Sequence, residues 1–244
     1  MGRSNGKAFL TGETRNLDAK IPETSTPREV SAPPAWTGAI QIALPRWIAP
    51  FLSARPAIFP DDDRRMALVL ELTREQVRVG SGGPFGAAVF ASDSGRLLAV
   101  GVNLVVASRC SIAHAEMLAI ASAQQMLGHY DLRQAVPGGC VLFSSAEPCA
   151  MCLGALPWSG IDRLVCAARD ADVRAIGFDE GHKPPDWVEG YARRGIGVTR
   201  DLRREEAIAA LREYVVKDGE IYGAAVTSEA GSDDRDAIEP PAPR

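Results

Sequence analysis

Two short segments hold residues of the types and spacings that do chemistry: His114-Ala115-Glu116 and Pro148-Cys149-Ala150-Met151-Cys152. Cysteines three apart at a helix start project from one face, close enough to share a single ion, and the unpaired N–H groups of the helix N-terminus favour their thiolates. His114 adds a third ligand. Three protein ligands leave the fourth position of a tetrahedral zinc ion open to water, the mark of a catalytic site as opposed to a structural one. Zinc lowers the pKa of bound water toward roughly 7, and Glu116, two residues beyond the histidine, is placed to move protons without binding metal. A Cys-x-x-Cys pair alone would fit a zinc knuckle or a redox pair equally well. The joint pattern of all four residues is what specifies hydrolytic metal chemistry.

The elements around these residues follow from periodicity. Asp61 to Asp63 start a first helix, in which Met66, Val69, Leu70 and Val77 recur at helical spacing up to a stop at Gly80. Phe85 to Ala91 and Leu97 to Val102 are short apolar runs joined by Ser92-Asp93-Ser94-Gly95 and read as an antiparallel pair. The stretch from His114 to about Leu127 reads as a second helix. Cys140 to Ser144 is a buried strand. Pro148 is expected at the first position of the helix that runs to Trp158. Arg163 to Ala168 and Ile196 to Thr199 are the remaining strands, and Arg203 to Val216 is a last helix. Alternating strands and helices imply an α/β protein, a three-layer α/β/α arrangement over a mixed central sheet of about five strands.

The chain has 244 residues, 46% of them hydrophobic, enough for one substantial core. Residues 1–60 are expected to be a disordered leader followed by an apolar arm from Trp36 to Phe59, residues 61–225 the catalytic domain, and residues 226–244 a disordered acidic tail. The arm is expected to pack on the domain or on a partner subunit. A net charge of −4 gives no overall basic footprint, which favours a small-molecule substrate over nucleic acid. Arg193, Arg194, Arg200, Arg203 and Arg204 cluster, but with Asp201, Glu205 and Glu206 among them they read as a solvated face. Five cysteines, an odd set, and no apolar run of export or membrane-spanning type point to a reducing cytoplasm and no membrane. Cys110 reads as a loop thiol, Cys140 and Cys166 as core residues.

With these motifs the chain resembles the cytidine and deoxycytidylate deaminase superfamily, whose nucleobase members carry His-x-Glu with Pro-Cys-x-x-Cys. The resemblance runs from about Asp63 to Tyr222 and includes Gly82-Gly83-Pro84-Phe85-Gly86, Asn103, and Glu147 through Ala155. These landmarks are shared with the adenosine deaminases of transfer RNA. Gly177-Phe178-Asp179-Glu180 is most similar to the bacterial guanine deaminases. The resemblance implies that Glu180 faces a purine, accepting hydrogen bonds that guanine offers and adenine does not. Asp179 could take that role instead, and a solvated loop carboxylate is the plain alternative for either. It further implies that Asn103 bonds the ring, that Phe85 and Trp158 wall it, and that Tyr222, on a C-terminal segment folding over its own or a neighbouring active site, touches it. The implied cofactor is Zn2+, the implied assembly a homodimer, and the implied reaction guanine to xanthine and ammonia. An ammeline-type triazine, cytosine, or adenosine in transfer RNA are the alternative substrates.

Overall fold

The computed structural model describes residues 40–223. The expected disordered leader, the first part of the apolar arm and the acidic tail lie outside them. Among the described residues, those from Ile42 onward form one compact unit. The described part of the arm packs on the domain, one of the two expected placements: Ile42, Leu44, Trp47, Phe51 and Leu52 pack on the core, and Phe59 is buried. Its helix α1 (Ile48–Ser53) is held by the Trp47 indole, which donates to Ser81 Oγ at 3.0 Å, and by Arg55, which pairs with Glu71 at 2.8 Å. That much apolar surface gains more from burial than from exposure to water.

Helix α2 (Asp62–Val79) is capped by Asp61, whose carboxylate accepts from Arg64 N–H, and ends at Gly80 in the left-handed conformation. Strands β1 (Gly86–Ala91) and β2 (Leu97–Val102) form the antiparallel hairpin. A short α3 (Val105–Ser108) precedes α4 (Ala115–Leu127), and a short α5 (Leu132–Ala135) precedes β3 (Cys140–Ala146). Then come α6 (Ala150–Ser159), β4 (Arg163–Ala168), α7 (Asp170–Ala175), α8 (Trp187–Ala192), β5 (Gly197–Thr199) and α9 (Arg204–Val216). The short helices α3, α5, α7 and α8, of four to six residues, are too short to leave a periodic signal in sequence.

The sheet order is β2-β1-β3-β4-β5, with β1 antiparallel to both neighbours and β3, β4 and β5 parallel. It is the mixed, five-stranded α/β sheet expected. Alternate residues supply its two faces. Ala88, Phe90, Val141, Phe143 and Val165 meet α2 and α9, while Ala87, Val89, Leu142 and Leu164 meet α4, α6 and α8.

Two local features fix the helices that carry the motifs. On β2, a Cβ at Gly101 would lie 2.1 Å from the Ala115 carbonyl oxygen and 2.5 Å from the Ala119 nitrogen, so α4 touches the sheet backbone through its small residues Ala115, Ala119 and Ala123. Within α6, Pro157 cannot donate to the Leu153 carbonyl. The Tyr191 hydroxyl of α8 donates to that oxygen at 2.6 Å, which ties α8 to the bend. The Pro148 expectation shifts by two positions: Cys149 is the N-cap and Pro148 lies outside the helix.

Gly101→Ala should push α4 off the sheet and cost about 1–3 kcal/mol, the usual range for overpacking. Chemical denaturation of the variant checks this, and an unchanged midpoint would mean that α4 is not seated on β2 as described.

Candidate active site

His114 and Cys149 are both N-cap residues with extended backbone, His114 at φ −75°, ψ 155° and Cys149 at φ −64°, ψ 171°. That conformation turns each side chain away from its own helix and toward the other. Cys152 follows in the first turn of α6 and is fully buried. The three donor atoms lie within 4.8 Å of one another, with His114 Nδ1 3.5 Å from Cys149 Sγ and 3.7 Å from Cys152 Sγ. Bonds of about 2.3 Å to sulfur and 2.0–2.1 Å to nitrogen at tetrahedral angles put S and N roughly 3.5 Å apart, so the spacing fits one zinc ion. Cys110 is not in the group.

The electrostatics match such a role. The hydrogen bond from Cys152 lowers the Cys149 thiol to about 4, with His114 adding to the effect, and the same bond raises Cys152. His114 is raised against the opposing effect of its burial by Cys149 and the neighbouring carboxylates. Glu116, in the first turn of α4, is buried, and burial raises its pKa. Ser144 Oγ on β3 donates to its Oε1 at 3.3 Å, and the Cys152 thiol reaches Oε2 at 3.7 Å. A buried carboxyl beside a cluster of metal-binding type has the position and the raised proton affinity of a general acid and base.

These residues open on a narrow cavity of about 30 Å³, lined also by Phe85, Asn103, Phe178, Asp179, Glu180 and Tyr222. The fold therefore gathers every sequence-expected site residue except one. Trp158 is 82% exposed and lines two surface grooves on the far side of α6. Nine residues beyond Cys149, at 100° and 1.5 Å per residue, it lies half a turn round the helix and roughly 13 Å along it. Asn103 is buried at the end of β2, where its Oδ1 accepts from Val105 N–H at 3.3 Å and its backbone carbonyl from Gln76 Nε2 at 2.7 Å. Phe178 stands edge-on to Phe85 and to Tyr222, with ring centroids 5.1 and 5.2 Å apart.

Between the two adjacent acids the structure makes a choice. The Asp179 side chain is half exposed and accepts from Gly181 N–H at 2.9 Å. Glu180 is 7% exposed, and burial raises its carboxyl to about 7. Sequence reading missed Phe178 as a wall and two further groups, Glu147 and Lys183. Glu147 is buried and accepts from Asp170 N–H at 3.0 Å, with Arg169 and Arg200 also beside it. Four of the five clustered arginines near the C-terminus are paired with acids: Arg193 with Asp186, Arg200 with Glu147, Arg203 with Asp63, Arg204 with Asp172. Arg194 lines the two surface grooves beside Trp158.

The family profile described as "Cytidine and deoxycytidylate deaminase zinc-binding region" matches residues 60–168. A solved structure of guanine deaminase from Nitrosomonas europaea is 49% identical, covering 73% of this chain and 97% of that one at a TM-score of 0.69. A solved protein in complex with 2,6-diaminopurine is 50% identical, covering 77% of this chain and 98% of that one, also at 0.69. The chain belongs to the cytidine and deoxycytidylate deaminase family. Guanine deaminase of Bacillus subtilis is 41% identical over 109 residues, 45% of this chain and 65% of its own length. The tRNA-specific adenosine deaminase of Haemophilus influenzae is 34% identical over 116 residues, 48% of this chain and 63% of its length. The matches to these two curated relatives thus span a little under two thirds of each.

Folded Glu180 keeps its proton to about pH 7, whereas the unfolded side chain releases it near 4.5. Between those values the unfolded chain binds fewer protons, so Glu180 makes stability fall as pH rises through the window. Glu180→Gln should flatten that part of the profile. Urea midpoints of both proteins at pH 5 and pH 8 test it, and parallel pH dependence would rule it out.

Proposed function

We propose that this chain is a zinc-dependent aminohydrolase that converts guanine and water to xanthine and ammonia. The observation that carries the reading is the buried Glu180, which lines the same narrow cavity as His114, Cys149 and Glu116. Its carboxylate can accept from N–H donors on guanine, which adenine lacks at the corresponding ring position. The high identity to the Nitrosomonas enzyme supports the same substrate. The paired arginines speak against a transfer RNA substrate, which needs free cations along its backbone.

His114, Cys149 and Cys152 would hold the zinc, which when bound supplies Lewis-acid activation of water. Glu116 takes a proton from the attacking water as its oxygen bonds to C2. It passes that proton to the adjacent ring nitrogen, then takes the remaining proton from the oxygen added at C2 and gives it to the amine, so that the C2–N bond breaks, a carbonyl forms at C2 and ammonia leaves. Ser144 steadies the Glu116 carboxylate. Asn103 and Glu180 fix the edge of the ring, while Phe85, Phe178 and Tyr222 give it apolar walls. A cavity of about 30 Å³ is smaller than a purine, so its lining has to open to admit the substrate. Asp179 holds the loop, and Trp158 stays outside the pocket of its own chain.

The working form we propose is a homodimer in the cytoplasm, serving purine breakdown. The exposed Trp158 beside two grooves supports a subunit contact, and five cysteines without a disulfide suit a reducing compartment. Among the described residues no helix is long and apolar enough to cross a membrane.

Zinc-loaded protein should release ammonia from guanine and not from adenosine, cytosine or ammeline. Glu116→Gln should lower the rate at least about 100-fold with zinc retained. Cys152→Ala should weaken zinc binding by more than about 100-fold, measured by metal analysis after dialysis against a chelator. Deamination of transfer RNA without release from guanine would overturn the substrate and leave the metal site standing.

A further inference from the structure

The Lys183 ammonium sits between the metal-binding loop and the cavity acid. Its side chain is 8% exposed, although a lysine is costly to desolvate without partners. The ammonium has three N–H donors and faces three acceptors. It contacts Asp170 Oδ1 at the start of α7, donates to the Pro148 carbonyl at 3.1 Å, and lies 3.6 Å from Glu180 Oε2. Pro148 immediately precedes Cys149. The loop is clipped again where Ala150 N–H donates to the Glu180 carbonyl at 2.9 Å, and Asp170 is itself held by Arg174 at 2.7 Å.

We propose that Lys183 is a positioning residue for the substrate-reading acid: anchored on Asp170 and the Pro148 carbonyl, it pairs with the Glu180 carboxyl group and aims it into the cavity. The 3.6 Å separation is the informative one. Asp170 and Pro148 alone would serve a purely structural clip, whereas the third donor extends to Glu180 as an ion pair without a close hydrogen bond. The charge is neutralised while the oxygen lone pairs stay free for a ligand's N–H groups. Around Glu180 the other charged groups are Asp170 and Arg174 on α7, Cys149 at the start of α6, and His114 and Glu116 at the start of α4. Asp170, Cys149 and Glu116 oppose its ionisation, Arg174 and His114 act with Lys183, and among the described residues Lys183 is the cation within ion-pair distance of its carboxyl group.

This inference rests on the reading of Glu180 as the guanine acceptor, and two readouts keep the two apart. Without substrate, side-chain carboxyl NMR on zinc-loaded protein, with Glu180→Gln as the assigning control, follows the Glu180 midpoint. Lys183→Met and Lys183→Gln should raise it by about one pH unit or more, and Lys183→Arg should restore it. With guanine, Lys183→Gln should raise KM about tenfold while kcat changes less than about threefold. In a Glu180→Gln background the same change should cost less than about twofold. An unmoved midpoint, an equal loss in both backgrounds, or loss of zinc from the Lys183 variants would overturn the proposal. If the wild-type protein releases nothing from guanine, the substrate reading fails, and the NMR midpoint still decides the role of Lys183.

Discussion

Three donor atoms of the kind that bind zinc, two of them thiols, have to be gathered within 4.8 Å before any ion is present to reward their meeting. Bringing thiolates together is unfavourable by simple charge repulsion, and desolvating them adds to the cost. The chain meets this constraint with two helix starts. His114 and Cys149 each occupy an N-cap, where backbone N–H groups favour negative charge and extended dihedrals point the side chain outward. Everything else about the site depends on where those two helix starts are placed.

That placement is a matter of packing. Gly101 lets α4 lie against the backbone of β2, and the parallel pairing of β3 with β4 carries Cys149 out of the sheet toward the start of α4. Pro157 would weaken α6 by freeing the Leu153 carbonyl, but Tyr191 takes over that bond and recruits α8. Glu116 rides on the same first turn as His114 and so needs no separate device to reach the cluster. Its burial, which raises its proton affinity, comes from the closeness of β3 to α4.

The opposite wall is built from a different part of the chain. Phe178, Glu180 and Lys183 lie in the irregular stretch between α7 and α8, and Tyr222 follows α9. Such a stretch has little regular backbone pairing to define it. Ion pairs and caps do the work here: Asp170 meets Lys183 and Arg174, Glu147 accepts from Asp170 N–H, and Ala150 N–H binds the Glu180 carbonyl. The loop before Cys149 and the loop bearing Glu180 are held by one network, so the position of Glu180 is tied to that of the His114, Cys149 and Cys152 group.

The sequence by itself determined the chemistry. His114, Glu116, Cys149 and Cys152 are legible because ligand type and helix-start spacing constrain each other locally, and the long strands and helices are legible because their periodicity is strong. The short helices, the choice between domain and partner for the arm, and the exclusion of Trp158 were not, since each depends on contacts between distant residues. Asp179 and Glu180 are adjacent acids that no local rule separates; only the packed loop buries one and leaves the other half exposed. Lys183 was silent in sequence for the same reason. A lysine in a proline-flanked loop reads as solvated until tertiary structure surrounds it with two carboxylates and a carbonyl, because burial and charge pairing are properties of the assembled fold and not of the segment.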